Sequence, residues 1–77
     1  MATDPLLVLI AGTLGINQAE VSDASDAGNT RKWDSLRQVM LMTELETSHG
    51  IELSDEEMTE ATSVAKIRAV LQAHGKG

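Results

Sequence analysis

Trp33 is the only aromatic residue among the 77 residues of this chain, and there is no cysteine. A hydrophobic core must therefore be built from Leu, Ile, Val, Met and Ala, which repack more easily than interlocked rings. No disulfide can support that core. A chain of this length is near the lower limit for a self-sufficient fold. We therefore predict one domain, residues 1–77, with a small and deformable aliphatic core.

The charge of the chain excludes some classes of function. Twelve acidic and six basic residues give a net charge of −6, which argues against nucleic-acid binding by a basic surface. The longest apolar run, residues 6–11, is shorter than the roughly 18–20 residues of a membrane span. No basic residue precedes it, as one would in a signal peptide. We expect a cytoplasmic monomer that binds neither membrane nor nucleic acid.

The first helix is predicted from its start signal. Asp4 is typical of an N-cap and Pro5 of the first helical position. The apolar run that follows could also be a buried strand. However, Leu6, Ile10 and Leu14 keep helical spacing, and no second strand is predicted to pair with them.

A long polar segment follows Gly15, which is predicted to end the first helix in the left-handed conformation. Residues 16–33 are mostly polar, and Val21 is expected to attach them to the core. Structureless loops longer than about 12–15 residues are uncommon in compact domains. This segment is therefore expected to contain a helical turn or to pack as a functional loop.

The second helix is predicted over residues 36–48, with Asp34 or Ser35 as its cap and its end near Gly50. Its apolar residues 39–42 span roughly 300° of the helix circumference at about 100° per residue. That arc is too wide for one core stripe. One face, predicted to be buried, consists of Leu41, Met42 and Leu45. The second face, predicted to be a partner-docking patch, consists of Leu36, Val39, Met40 and Thr43.

Two further helices complete the predicted fold. Ser54 and Glu57 form a capping-box pattern that opens a short third helix. Thr62 or Ser63 is expected to cap a fourth, whose apolar residues from Val64 onward keep one-face helical spacing. The fold class is therefore all-α. It is a four-helix bundle of three longer helices and one short one, with a long loop between helices 1 and 2.

Ser35 cannot be a self-sufficient nucleophile. His49 lies fourteen residues further along the same predicted helix, about 21 Å away at 1.5 Å per residue, whereas a base must lie about 3 Å from its partner. His74 is expected to end the fourth helix. Asp23 and Ser25 stand at positions 1 and 3 of a pattern that partly matches a calcium loop, but several ligand positions do not fit, so we interpret it as a solvated loop.

Covalent modification of Ser35 is the chemistry that remains. A helix N-terminus favours a negative phosphate group, because its N–H groups are unpaired and its dipole is positive there. By position alone, Ser35 is more typical of an ordinary helix cap than of a modified serine.

Together the motifs resemble the acyl carrier protein family over essentially the whole chain. They are Asp34-Ser35-Leu36, Glu44-Leu45-Glu46, Gly50-Ile51-Glu52-Leu53, Asp55-Glu56-Glu57 and Ser63-Val64. The resemblance implies a bundle of acyl-carrier type, with 4′-phosphopantetheine from coenzyme A attached to Ser35. An acyl group would be held as a thioester on the thiol of this arm, which fits a chain without cysteine. The chain itself would be no enzyme.

The resemblance also implies partners. These are a phosphopantetheinyl transferase, an acyl-loading ligase or acyltransferase, and downstream fatty-acid, polyketide or other specialised biosynthetic enzymes. Asp34 would belong to the motif that the transferase recognises, and Leu36 and Val39 would dock partner enzymes. The alternatives are an aminoacyl or peptidyl carrier, or an unmodified helical adaptor.

The stretch before Asp34 departs from common fatty-acid carriers. Arg31-Lys32-Trp33 stands where a small turn is usual, and Arg37 and Met40 stand where carboxylates are frequent. Trp33 is either a core residue that closes the loop or an exposed docking residue. Arg37 is either a solvated surface residue or a specificity determinant. We expect partner specificity to lie in residues 31–33.

The two-face interpretation of the second helix predicts opposite results for two substitutions. Val39→Asp is expected to leave helicity largely intact while impairing reactions with partner enzymes. Leu45→Asp is expected to unfold the domain, because it puts an unpaired charge in the core. Circular dichroism and partner-enzyme rates measure the two effects. Equal unfolding of both variants would contradict the interpretation.

Overall fold

Four α-helices make up the fold in the computed structural model, which describes residues 4–76. They are α1 (Pro5–Leu14), α2 (Ser35–His49), α3 (Asp55–Glu60) and α4 (Val64–Ala73), and a 3-10 turn, Gln18–Glu20, lies between α1 and α2. Within this described part there is no β-strand, only an isolated bridge between Asp26 and Ser63. The prediction of an all-helical fold with a long first connection is confirmed.

Local capping interactions set the ends of α1 and α2. Asp4 Oδ1 accepts a hydrogen bond from the Leu6 N–H at 3.0 Å, and Gly15 ends α1 with φ of 72°. Of the two candidate caps of α2, Asp34 takes that role, since its Oδ1 accepts from the Arg37 N–H at 2.8 Å. Gly50 ends α2 with φ of 63°. Ser35 is therefore the first residue of the helix rather than its cap.

The capping box of α3 is present as predicted. Ser54 Oγ accepts from the Glu57 N–H at 3.1 Å, while the Glu57 carboxylate accepts from the Ser54 N–H at 2.9 Å. At the start of α4, Ser63 rather than Thr62 is the cap, and its Oγ accepts from the Lys66 N–H at 3.1 Å. These caps let α4 begin only four positions after α3 ends.

The core is aliphatic except for Trp33. Helices α1, α2 and α4 contribute buried side chains, and the connecting segments contribute Val21, Trp33, Leu53 and Ala61. The buried hydrophobic residues are Leu6, Ile10, Ala11, Leu14, Val21, Trp33, Leu41, Met42, Leu45, Leu53, Ala61, Val64, Ile67 and Leu71. Val21 therefore attaches the loop to the core, and the 3-10 turn beside it is the predicted helical turn.

The second half of the loop is bound to the start of α4. The Ala27 N–H donates to the Thr62 carbonyl oxygen at 2.9 Å, and the Val64 N–H donates to the Ser25 carbonyl oxygen at 3.0 Å. Arg68 on α4 adds ion pairs to Asp4 and Asp23, each at 2.6 Å. The Arg68 guanidinium holds the pKa of Asp4 below its ordinary value. The long connection is thus an ordered part of the fold.

No helix within residues 4–76 is long and apolar enough to cross a membrane.

Replacement of Gly12 and of Gly50 by alanine is expected to have opposite effects on the free energy of unfolding. Gly12 lies inside α1, and a Cβ added there meets nothing within 4 Å, so Gly12→Ala should stabilise the fold by about 0.5–1 kcal/mol. Gly50 has φ of 63°, so Gly50→Ala should destabilise it by about 1–2 kcal/mol. Urea unfolding followed by circular dichroism measures both changes. A loss of stability in Gly12→Ala would mean that α1 needs this glycine for its own packing.

Candidate functional site

Ser35 is exposed at the first position of α2. The first N–H groups of a helix have no acceptor within the helix, and here the N–H of Arg37 is taken by the Asp34 carboxylate at 2.8 Å. Asp34 is also exposed. Its carboxylate is thus held beside the Ser35 hydroxyl by the cap of the helix. The arrangement presents a primary hydroxyl to other molecules at the positive end of a helix dipole.

A groove of about 650 Å³ opens beside Ser35, between the start of α2 and α3. Its apolar surface includes Trp33, Val39 and Met58, whereas Asp34 and Asp55 are its ionisable members. The remaining lining residues are Ala27, Ser35, Gln38, Thr59 and Thr62. The site therefore combines an exposed hydroxyl with a largely apolar cleft.

Gln38 joins the three segments that surround this groove. The Trp33 Nε1–H donates to Gln38 Oε1 at 2.7 Å. Gln38 Nε2 donates to the carbonyl oxygens of Met58 and Ala61, both at 2.9 Å. Gln38 is only 9% exposed, so its amide is satisfied by these groups rather than by bulk water. The loop, α2 and the end of α3 are thereby fixed to one another.

Sequence reasoning missed Gln38 because only apolar residues were assigned to the core face. Its spacing was nevertheless informative. Residue 38 precedes Leu41, Met42 and Leu45 by three, four and seven positions, which places it on the same face of α2. A glutamine on a core face needs buried partners for both ends of its amide.

The short helix α3 is held mainly by polar contacts. None of its six residues is buried, and Met58 and Glu57 are half-buried. Besides the bonds from Gln38, a contact of 3.0 Å joins Glu57 Oε2 to His74 Nε2 at the end of α4. The pKa of Glu57 lies below its ordinary value, chiefly because the Ser54 N–H donates to this carboxylate, with His74 contributing. The wall of the groove opposite Ser35 thus depends on hydrogen bonds at both ends of α3.

The predicted division of α2 into two faces is confirmed. Leu36, Val39 and Met40 are 67%, 62% and 41% exposed, whereas Leu41 is fully buried. Thr43 is also exposed, and its hydroxyl donates to the Val39 carbonyl oxygen at 3.0 Å. We call Leu36, Val39, Met40 and Thr43 the apolar patch of α2. Its role in docking partners stays a prediction.

Arg37 lies along this patch rather than over Ser35. It is half-exposed, and its Nη1 lies 3.8 Å from Met40 Sδ, one turn further into α2. The guanidinium therefore points toward the patch and away from the start of the helix. A role for Arg37 in partner specificity stays a prediction.

Of residues 31–33, Trp33 is buried whereas Arg31 and Lys32 are exposed, which corrects one expectation about Trp33. Trp33 is only 4% exposed, so the interpretation of Trp33 as an exposed docking residue is wrong, because its indole closes the loop over the core. Arg31 forms a two-point ion pair with Glu20, at 3.0 and 2.9 Å. Lys32 has φ of 68°, a strained value for a residue with a side chain. Partner specificity in residues 31–33 stays a prediction, carried by the exposed Arg31 and Lys32.

The histidines and the acidic loop residues have contacts elsewhere. His49 is the last residue of α2, and its Nδ1 lies 3.2 Å from the Leu45 carbonyl oxygen. Asp23 binds Arg68, and Asp26 Oδ1 accepts from two backbone N–H groups of its own turn. Within the described chain, no three His, Asp or Glu side chains are grouped to hold a metal ion.

No histidine lines the groove beside Ser35, so the described residues offer this hydroxyl no imidazole base. No protein-family model matches the sequence.

Because the Gln38 amide connects three segments, we predict that the stability of a Gln38→Glu variant depends on pH. In Gln38→Glu, a carboxylate would face the carbonyl oxygens of Met58 and Ala61, an unpaired buried charge that should cost about 1–3 kcal/mol near pH 8. Burial should raise the pKa of this carboxyl group. Protonation then restores one donor, so the lost stability should return progressively as pH falls below the raised pKa and should be complete only below the ordinary pKa of glutamate.

Urea unfolding at pH 5 and pH 8, followed by Trp33 fluorescence, measures the effect. Gln72→Glu, on the exposed side of α4, is the matched control and should show little difference between the two pH values. An equal loss for Gln38→Glu at both pH values would contradict the role given to the amide donors.

Proposed function

We propose that this chain is an acyl carrier protein that bears 4′-phosphopantetheine on Ser35. The observation that carries the proposal is the exposed Ser35 hydroxyl at the first position of α2, within Asp34-Ser35-Leu36 and beside an apolar groove. Support also comes from the all-helical architecture with its long first connection. The absence of cysteine means that any thioester must use a thiol on an attached group.

The residues around Ser35 fit such a group. A phosphodiester on the first residue of a helix lies at the positive end of the helix dipole. The Asp34 carboxylate is held in place by the Arg37 N–H at 2.8 Å, which leaves the Ser35 hydroxyl accessible. When bound, the prosthetic group supplies a thiol that carries the acyl cargo as a thioester. The groove of about 650 Å³ next to Ser35 is close enough to the attachment point to bury apolar parts of the arm or its cargo, which are more stable out of water.

The chain contributes presentation rather than catalysis. A flexible arm raises the local concentration of its cargo at a docked enzyme. The apolar patch of α2 begins one residue after Ser35 and is well placed to dock a phosphopantetheinyl transferase. It could equally dock a loading ligase or acyltransferase and later fatty-acid, polyketide or other specialised biosynthetic enzymes. Because Trp33 is buried, we assign discrimination between these partners to the exposed Arg31 and Lys32 and to the exposed side chains of α2.

Modification of Ser35 is tested by intact-mass spectrometry after incubation with coenzyme A and a broad-specificity phosphopantetheinyl transferase. The wild-type chain is expected to gain one phosphopantetheine group. In this transfer Ser35 Oγ would form a bond to the phosphorus next to pantetheine while the pyrophosphate P–O bond of coenzyme A breaks. The hydroxyl proton and adenosine 3′,5′-bisphosphate are released. Ser35→Ala should show no gain and, since Asp34 is the cap, should keep its helicity.

Ser48→Ala is the matched control, because Ser48 is an exposed serine on the last turn of the same helix. This variant should gain the same mass as the wild-type chain. An unchanged wild-type mass would favour an unmodified helical adaptor, and a gain that survives in Ser35→Ala would place the modification elsewhere.

A further inference from the structure

The methionines of this chain differ widely in their access to solvent. Met40 is 41% exposed, whereas Met42, two residues further along α2, is 1% exposed. Met58 on α3 is half-buried, and Met1 lies outside the described residues. Met40 also lines a groove of about 630 Å³ between α1 and α2. Small solutes from the surrounding water therefore reach Met40 directly.

A guanidinium group lies against the sulfur of Met40. Arg37 Nη1 is 3.8 Å from Met40 Sδ, and a thioether sulfur is only a weak hydrogen-bond acceptor. The four ion pairs within residues 4–76 all involve other residues, so this part of the chain offers the Arg37 guanidinium no carboxylate. An oxygen atom bound to Sδ would give Arg37 a strong acceptor, because hydrogen bonds from a charged donor are roughly twice as strong as neutral ones.

Peroxides convert the thioether of methionine to a sulfoxide. With hydrogen peroxide, a lone pair of Sδ attacks one oxygen while the O–O bond breaks. The sulfur loses two electrons and gains a bond to that oxygen, whose proton passes to the second oxygen, and this leaves as water. A methionine sulfoxide reductase restores the thioether. In that step two thiols are oxidised to a disulfide, and the oxygen leaves as water.

The position of the oxidised sulfur decides what the reaction does to the chain. A sulfoxide at Met42 would bring a polar oxygen into the core, which is costly without a partner. Met40 belongs to the outer face of α2, so a sulfoxide there leaves the core packing intact. It converts an apolar side chain of the apolar patch of α2 into a polar one, beside a guanidinium that can donate to it.

We propose that Met40 is a site of reversible oxidation, at which a peroxide adds one oxygen to Sδ and Arg37 binds that oxygen. The sulfoxide and the guanidinium that it holds interrupt the apolar patch of α2, so the oxidised chain docks partner enzymes more weakly. The oxidation goes beyond the proposed carrier function and does not require it, whereas the effect on docking rests on that function.

Treatment with hydrogen peroxide, followed by fragment-ion mass spectrometry, measures oxygen uptake at each methionine. Met40 should be oxidised faster than Met58 and at least about tenfold faster than Met42, because susceptibility follows exposure. Circular dichroism of the chain oxidised at Met40 alone should show unchanged helicity. Uptake at Met42 or Met58 as fast as at Met40, or a loss of helicity, would overturn the proposal.

The role of Arg37 is tested by NMR of the arginine side chains. The Arg37 Nε–H signal should shift when the wild-type chain is oxidised, because the guanidinium gains an oxygen acceptor. Met40→Leu, which keeps a similar apolar volume, should show no such shift after the same treatment. The Arg68 signal is an internal reference, since Arg68 is paired with Asp4 and Asp23. An Arg37 signal that does not move would contradict its role in binding the oxygen.

The effect on docking is measured with the same phosphopantetheinyl transferase and coenzyme A. Transfer to the oxidised chain should be several-fold slower than to the reduced chain and should recover after treatment with methionine sulfoxide reductase and a thiol. Peroxide-treated Met40→Leu should keep its rate. Equal rates for the oxidised and reduced wild-type chains would overturn the effect on docking. If the transferase modifies neither form, the carrier function fails, whereas oxygen uptake at Met40 still decides the oxidation.

Discussion

The amide of Gln38 is the interaction on which the surroundings of Ser35 depend. It lies one turn into α2, accepts from the Trp33 indole and donates to two carbonyl oxygens at the end of α3. In the described chain no buried side-chain nitrogen or oxygen lacks a partner, so the network is complete. A satisfied buried network rigidifies its neighbours, whereas a half-satisfied one is costly. The loop before Ser35 and the helix opposite it are therefore positioned by one side chain.

This arrangement compensates for a weakly packed α3. That helix buries none of its six residues, so it gains little from the hydrophobic effect, and hydrogen bonds at its two ends supply the attachment. Elements with few buried contacts open more easily than the core. The groove beside Ser35 thus has one firm wall, α2, whose inner face is fully buried, and one wall held by polar contacts.

Val39 lines both the groove beside Ser35 and a groove between α1 and α2. The helix α2 therefore carries most of the candidate functional surface. Its inner face supplies core side chains, its first residue supplies the exposed hydroxyl, and its outer face supplies an apolar surface bordered by Arg37 and Glu44. Residues 31–33, by contrast, stabilise the loop through the Arg31–Glu20 ion pair and the buried indole. Trp33 therefore serves the fold, whereas the exposed Arg31 and Lys32 stay open to contact with other molecules.

Local signals in the sequence determined the helices, their caps at Asp4 and Ser54, the glycine ends, and the division of α2 into two faces, because these depend on residues within a turn or two. The width of the apolar arc on α2 was enough to predict that Val39 and Met40 would be exposed. Tertiary structure alone decided that Trp33 is buried, that Gln38 binds the end of α3, and that Arg68 joins Asp4 to Asp23. Those contacts join segments from five to 64 positions apart, and one sequence does not reveal which distant polar groups will meet in the folded chain. The same limit applies to the site: Ser35 followed from its motif, whereas the grooves on either side of Val39 exist only once α1, α2 and α3 have packed together.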